Sequence, residues 1–194
     1  MVLVCNLAQI PYFIQGGTAI GAHFFSGIVP WDDDIDLGMT RENYERFLRE
    51  APSLLAEGYV LQEFTTEPNT PFYFAKVRKC GTRFVEREWV GLPIEEGIYI
   101  DIFPYDLIPD DRAKERAQRR RVKFWINCFT AKSVWLWRWL GKANNGVVMP
   151  KSLLSCTAIR LVTALMTKEQ IYRRMNSELQ RYNHSSASRY NIVR

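Results

Sequence analysis

Apolar positions along this chain follow two rhythms. Between residues 59 and 109 they fall in short runs closed by Gly, Pro and other turn residues, the pattern of strands. After residue 111 they recur at helical spacing inside long, Arg-rich stretches. The runs "YVLQEFTT" and "GIYIDIFPYDLIP" each predict a strand, and "FYFAKVRKCGTRFVERE" predicts a hairpin turning near Cys80-Gly81. Before them, "LAQIPYFIQ" predicts a short helix or an extended piece, then a Gly-Gly turn, then a helix from Thr18 to about Phe25. "IDLGM" predicts a short strand. "TRENYERFLREAPSLLAEG" predicts a helix with Thr40 as N-cap, Glu42 in its first turn, and Tyr44, Phe47, Leu48, Leu54 and Leu55 on one apolar face. Pro52 is expected to end or kink it, and Gly58 to stop it. Two helical stretches follow, "DRAKERAQRRRVKFWINCFTAKSVWLWRWL" and "SLLSCTAIRLVTALMTKEQIYRRMNSELQRYN". The expected fold is α+β. A mixed sheet with flanking helices forms a catalytic core over residues 1–111, and a basic helical C-terminal appendage over 112–194 packs on it.

Charge sharpens that boundary. Residues 1–111 hold 8 Lys/Arg against 18 Asp/Glu, whereas residues 112–194 hold 18 against 3. An acidic part suited to a cation is joined to a basic part suited to an anion such as a nucleotide, a phosphopolymer or a membrane surface. Mutual attraction of the two parts is the plainer account. Apolar residues make up 47% of the chain, which excludes global disorder. The cysteines, at 5, 80, 128 and 156, show no C-x-x-C spacing, and only two histidines accompany them. A structural zinc site is therefore not expected; free thiols in a reducing, cytoplasmic compartment are. The apolar N-terminus lacks a basic region and is interrupted by Pro11, so it does not predict a signal peptide. No uncharged apolar run reaches the length of a membrane span. "RRRVKFWINCFTAKSVWLWRWL" mixes cations with Trp125, Trp135, Trp137 and Trp139. That composition suits either an interfacial helix on the inner face of an anionic membrane or a buried helix with a basic edge. No nucleic-acid motif is present and no nucleic-acid partner is expected.

The candidate chemistry sits in "VPWDDDIDLGM", residues 29–39. Like charges this close repel unless water or a cation offsets them. If the strand reaches back far enough, Asp32, Asp34 and Asp36 share one face, while Asp33 and Ile35 take the other. Asp34 and Asp36 are then placed to share a hard cation, Mg²⁺ or Mn²⁺; a solvated acidic loop is the alternative. Upstream, Gly16, Gly17 and Thr18 open a helix in "QGGTAIG", and their backbone N–H groups can cradle a phosphate. A glycine-rich helix start followed by D-h-D on a strand is the arrangement of the nucleotidyltransferase fold. Asp101, on the later strand "GIYIDIFPYD", is the candidate third carboxylate. Lys76 and Arg78 stand at i, i+2 on one strand face, suited to a diphosphate donor or to a hairpin's solvated surface. Core packing is the expected role of Trp31 and Tyr105, with stacking on a base or an alcohol headgroup as the alternative.

Three blocks resemble the LicD family: "GGTAIGAHFFSGIVPWDDDIDLGMTRENYERFL", "FAKVRKCGTRFVE" and "GIYIDIFPYDLIPDD", in order, over roughly residues 12–111. That family includes bacterial phosphocholine transferases and the fukutin-related glycan phosphotransferases. The resemblance implies a nucleotidyltransferase-like core. It also implies transfer of a phospho-alcohol from a CDP-activated alcohol donor to a glycan hydroxyl, on an acceptor that is lipid-linked if the membrane reading holds. Carried over by position, Gly16, Gly17 and Thr18 match the phosphate-side turn. Asp34 and Asp36 match the metal pair and Asp101 the later carboxylate. Asp32 is a supporting residue beside them, and it or Asp101 is the candidate to accept the acceptor hydroxyl's proton. Two departures stand out. The family usually carries a basic pair in a pattern like "GAVRHKG", where this chain has "GAHFFSG", with Phe24 and Phe25 at those places. Family members also usually continue past the equivalent of Arg194. A member that binds a nucleotide or glycan without turnover is therefore the alternative expectation, and nucleotide transfer onto a small molecule is a third.

Overall fold

The computed structural model describes residues 1–139, 153–185 and 189–191, side chains included except at 135–139 and 153–156. The chain forms two units. One comprises Met1–Thr66, Phe74–Phe84 and Glu95–Tyr105; the other comprises Glu67–Tyr73, Val85–Ile94 and Asp106–Arg194.

The first unit opens with helix α1 (Val2–Ala8) and the two-residue strand β1 (Phe13–Ile14). Helix α2 (Gly16–Ile20) follows and continues as a π-helical turn over Gly21–Phe25. Strand β2 (Asp36–Thr40) leads into helix α3 (Arg41–Leu54). Strands β3 (Tyr59–Gln62), β4 (Ala75–Lys79) and β5 (Ile98–Ile108) complete the sheet. Its order is β1-β2-β5-β4-β3. β2 and β5 run parallel and the other pairs antiparallel, so the sheet is open and mixed, as expected.

Side-chain alternation gives this sheet two unlike faces. Leu37, Met39, Ile102, Ala75, Val77 and Leu61 point to one side and form the core with Val4, Cys5, Tyr44, Phe47 and Ala51 of α1 and α3. The α3 stripe falls where its periodicity placed it, with Leu48, Leu54 and Leu55 packed at the margin. Thr40 is the N-cap residue, without a side-chain capping bond, and Pro52 sits inside the last turn of α3.

The hairpin expected at Cys80-Gly81 is not formed. β3 and β5 occupy both edges of β4, so residues 82–88 have no edge to join. They run as a loop, with one 3-10 turn at Arg87–Trp89. The Thr82 hydroxyl donates to Lys79 O and accepts from Ile98 N–H, which ties the loop to the strand ends.

The second unit is built on helices α4 (Arg112–Trp139), α5 (Leu153–Leu165) and α6 (Lys168–Leu179). Asp111 starts α4 by accepting from the N–H groups of Ala113 and Lys114, bonds that hold its carboxyl below the usual range. The second helical stretch of the sequence divides at Thr167. Its side chain and that of Gln170 form a capping box, which begins α6 as a separate helix. Val122, Cys128, Phe129, Ile159, Ile171 and Met175 are buried among these helices. Gln118, also buried, donates to the carbonyls of Glu178 and Leu179 at the end of α6. Strand β6 (Arg189–Asn191), which no pattern predicted, pairs with the last residues of β5. No helix among the described residues is long and apolar enough to cross a membrane. Trp125 is half-buried. The side chains of Trp135, Trp137 and Trp139, on which the membrane-edge expectation also rests, lie outside the described residues.

Phe47 has no exposed surface. Phe47→Ala is expected to destabilise the first unit by about 3–5 kcal/mol, read as a lowered urea midpoint. Burial pushes the Cys128 thiol up to about 12, so it stays protonated at pH 8, whereas Cys80 is partly accessible. Iodoacetamide followed by peptide mapping should therefore label Cys80 in the native protein and Cys128 only after denaturation.

Candidate functional site

The sheet face opposite the core carries charge. Register places Asp36 beside Asp101, Asp101 beside Lys76, and Lys76 beside Gln62, so one row of polar residues crosses β2, β5, β4 and β3. Arg78 and Tyr99 pair in the adjacent row. These groups are not solvated as surface charges would be. Lys76 is 0% exposed, Arg78 1% and Asp101 5%. Each has partners that offset the loss of water. Lys76 Nζ lies 3.0 Å from one Asp101 oxygen and 3.4 Å from the other. It also stands 3.5 Å from the centroid of the Tyr99 ring. The Arg78 guanidinium sits over the same ring at 4.7 Å and donates to Gln62 Oε1 and Gly97 O.

The glycine turn comes up against this row. Gln15 N–H donates to Asp36 O, extending the β1–β2 pairing by a residue. The chain then turns at Gly16, whose φ of 56° lies in the left-handed region that favours glycine. A Cβ there would stand 2.5 Å from Asp36 Oδ2, and one at Gly17 would overlap Asp32 Oδ2. Gly16 is required by its backbone conformation, whereas at Gly17 a Cβ would have to displace the Asp32 carboxylate. The Thr18 hydroxyl accepts from Asp36 N–H at 2.8 Å and fixes the first residue of β2. Behind the turn, Gln15 Oε1 accepts from the Tyr105 hydroxyl at 2.6 Å, and Phe13 packs edge-on against Tyr105.

Carboxylate oxygens of Asp34, Asp36 and Asp101 all lie within 4.8 Å of one another. β2 begins only at Asp36, so the strand does not reach back to align Asp32 and Asp34 as the alternation argument supposed. The loop delivers Asp34 to the row instead. Asp101 N–H donates to Ile35 O at 2.9 Å, which clamps that loop between the two aspartates on β5 and β2. Asp32, Asp33 and Asp34 form a second acidic group, in which Asp33 is exposed. At an effective dielectric of about 20, each like-charge pair at ~5 Å costs about 3 kcal/mol. Lys76 offsets part of that repulsion. A divalent ion with oxygen preference would offset more, and the donor set of Asp34, Asp36 and Asp101 is all-oxygen and hard, which fits Mg²⁺ or Mn²⁺.

The structure brings Gly16, Gly17, Thr18, Asp32, Asp34, Asp36, Asp101 and Lys76 together. Arg78 stands one row away. Lys76 and Arg78 share a face, as their spacing predicted, but both are inside and engaged with the protein's own groups. The expectation that Trp31 packs in the core is overturned: Trp31 is 79% exposed and meets Phe25 edge-to-face at 5.8 Å. A tight turn, with Asp32 N–H bonded to Val29 O, carries it outward. Tyr99, Gln62 and Gln15 escaped the sequence reading. Tyr99 was findable, because it stands two residues before Asp101 and so shares its face. Gln15 and Gln62 carried no signal, since their role depends on pairing across the sheet.

This is the architecture of a nucleotidyltransferase-type domain, an open mixed sheet with an acid cluster beside a glycine turn. Residues 9–154 match the family described as LicD/FKTN/FKRP, nucleotidyltransferase domain. The chain belongs to the LicD family. It is 32% identical over 115 residues to the lipopolysaccharide cholinephosphotransferase LicD of Haemophilus influenzae, covering 56% of this chain and 40% of that protein. An uncharacterised protein of Rickettsia typhi is 40% identical over 51 residues, 26% of this chain and 16% of its own length. One of Rickettsia prowazekii is 36% identical over 53 residues, covering 27% and 20%. The chain thus spans less than half the length of these relatives.

Gly17→Ala should push the Asp32 carboxylate away from the turn, and Gly16→Ala adds a left-handed φ that costs about 1–2 kcal/mol. Urea unfolding should show the second variant less stable than wild type by at least that amount.

Proposed function

We propose that this chain is a LicD-type transferase that moves a phospho-alcohol such as phosphocholine from a CDP-activated donor to a hydroxyl of a cell-surface glycan. The observation that carries the reading is the convergence of Asp34, Asp36 and Asp101 beside the glycine turn, in a chain of this family. Phosphoryl transfer asks the protein mainly for alignment and charge neutralisation. Asp34, Asp36 and Asp101 would hold Mg²⁺ or Mn²⁺, which when bound neutralises charge on the donor diphosphate.

The protein's own groups divide the remaining work. The backbone of Gly16, Gly17 and Thr18 lines the approach for phosphate oxygens, with no side chain in the way at either glycine. Lys76 pairs with Asp101 and holds it in place. Arg78, bonded to Gln62 and Gly97, holds the Tyr99 ring against Lys76. Neither cation needs direct contact with the donor in this scheme. In the transfer step the acceptor hydroxyl oxygen bonds to the donor phosphorus. The bond from that phosphorus to the bridging oxygen breaks, and cytidine monophosphate leaves. Asp32, at the edge of the cluster and half-buried, takes the hydroxyl proton. A lipid-linked acceptor would bring the protein to a membrane surface.

One observation favours a second reading, binding without turnover. The loop after the glycines holds Phe24 and Phe25 and no Lys or Arg, so it supplies no cation to a phosphate. The two readings part in a product assay. With CDP-choline, a glycan acceptor and Mg²⁺, the transferase reading expects cytidine monophosphate release that chelation by EDTA abolishes. Asp34→Asn and Asp36→Asn should each lower that rate by about a hundredfold or more. Unchanged rates in both variants would remove the metal assignment. Calorimetric binding of CDP-choline without product would establish the second reading. Pyrophosphate release from a nucleoside triphosphate would instead mark nucleotide transfer onto a small molecule.

A further inference from the structure

The most exposed aromatic surface of the first unit lies immediately before the acid cluster. Phe24 is 73% exposed and Trp31 79%, and Phe25 and Ile28 are exposed as well. Such residues cost stability in water unless something covers them. Local packing has already arranged them. His23 and Phe24 meet edge-to-face at 4.5 Å, and Phe25 and Trp31 do so at 5.8 Å, with ring planes 84° apart. The two rings meet edge to face at nearly a right angle, and both keep exposed surface beside that corner.

The charge around that corner is one-sided. No Lys or Arg precedes Arg41, while Asp32, Asp33, Asp34 and Asp36 follow Trp31 directly. Phosphate and anionic lipid are therefore disfavoured as occupants, and a cation with apolar skin is favoured. A quaternary ammonium matches both requirements. It is attracted to ring faces and to carboxylates, and its methyl groups lose little on leaving water. The corner also stands close enough to the acid cluster to serve one small ligand. Trp31 is adjacent to Asp32, whose carboxylate abuts Gly17, and Asp32 lies within 4.8 Å of Asp34, ligand atom to ligand atom.

We propose that Phe25 and Trp31 form the recognition corner for the trimethylammonium end of the transferred alcohol, with the exposed Asp33 supplying the opposing charge. The inference rests on the transferase reading for the position of the phosphate, but not for the existence of the corner. It assigns specificity within the phospho-alcohol class. A trimethylammonium alcohol is selected over the primary-amine or uncharged analogue of the same length. A primary ammonium is smaller, better hydrated and gains less from a ring face.

The test uses the full chain and needs no turnover. Isothermal calorimetry with phosphocholine, and separately with tetramethylammonium chloride, should show saturable binding. Phosphoethanolamine should bind about tenfold more weakly than phosphocholine. Trp31→Ala and Phe25→Ala should each weaken phosphocholine binding about tenfold and erase the preference. Trp31→Phe should keep most of it, because a ring face remains. Circular dichroism of each variant confirms that a loss is not unfolding. Equal affinity for phosphocholine and phosphoethanolamine in the wild type overturns the proposal. So does unchanged affinity in both alanine variants. If Trp31→Ala instead abolishes sedimentation with phosphatidylglycerol vesicles while headgroup affinity is unchanged, the surface is a membrane contact and the corner is refuted. A chain that shows the preference yet releases no cytidine monophosphate keeps the corner and loses the transferase. One that transfers choline and ethanolamine equally keeps the transferase and loses the corner.

Discussion

The ion pair between Lys76 and Asp101 is what allows this sheet to carry acid on a face with little water. A buried pair is an expensive arrangement in itself, and hydrophobic residues of similar volume often serve stability as well or better. Here Asp101 is the carboxylate that Lys76 pairs with, and it stands beside Asp36 and within 4.8 Å of Asp34. Lys76 therefore reads as the residue that makes the row tolerable, and Tyr99 as the residue that makes Lys76 tolerable, its ring lying 3.5 Å beneath the ammonium. Arg78 approaches the same ring from the neighbouring row. Each polar group on this face depends on the next, and removing one strands its neighbour. The opposite face needs no such chain of dependence, because Leu37, Met39, Val77 and Ile102 are apolar and simply pack.

Much of this arrangement was legible before any coordinates. A lone carboxylate within the apolar run "GIYIDIFPY" singled out Asp101, and the Gly-Gly turn followed by clustered aspartates marked the segment that meets it. The residues that misled did so for physical reasons. Cys80-Gly81 has turn chemistry, and a turn is there. A hairpin also needs a free edge, and which edges are free is a property of the sheet and not of the segment. Asp34 was assigned to the right place through the wrong element, since a loop clamped by a backbone bond to Asp101 does what an extended strand was expected to do. Trp31 was assigned inward because large aromatics usually are. The turn from Val29 to Asp32 reverses its direction, and nothing local to "VPWDDD" distinguishes those outcomes. The role of Lys76 was invisible because a basic residue at i, i+2 looks the same whether it faces a ligand or a carboxylate across a strand.

The site is divided between two kinds of support. Asp36, Asp101 and Lys76 stand on paired strands, whose spacing is set by backbone bonds. Asp32, Asp34, Phe25 and Trp31 stand on the connection between α2 and β2. In the proposed reading the strands fix Asp36, Asp101 and Lys76, while the connection carries two further acids, Asp32 and Asp34, together with the aromatic pair.

The register of β5 against β2 carries a further consequence. Asp36 and Asp101 come from positions far apart in the chain, with α3, β3 and β4 between their parallel strands in sequence. A slip of one residue would bring Ile100 or Ile102 opposite Asp36 and turn Asp101 toward the apolar core. The mispaired sheet would bury a carboxylate in hydrocarbon on one side and expose two isoleucines on the other. The clustered acids thus penalise a mispaired register of the strands that hold them.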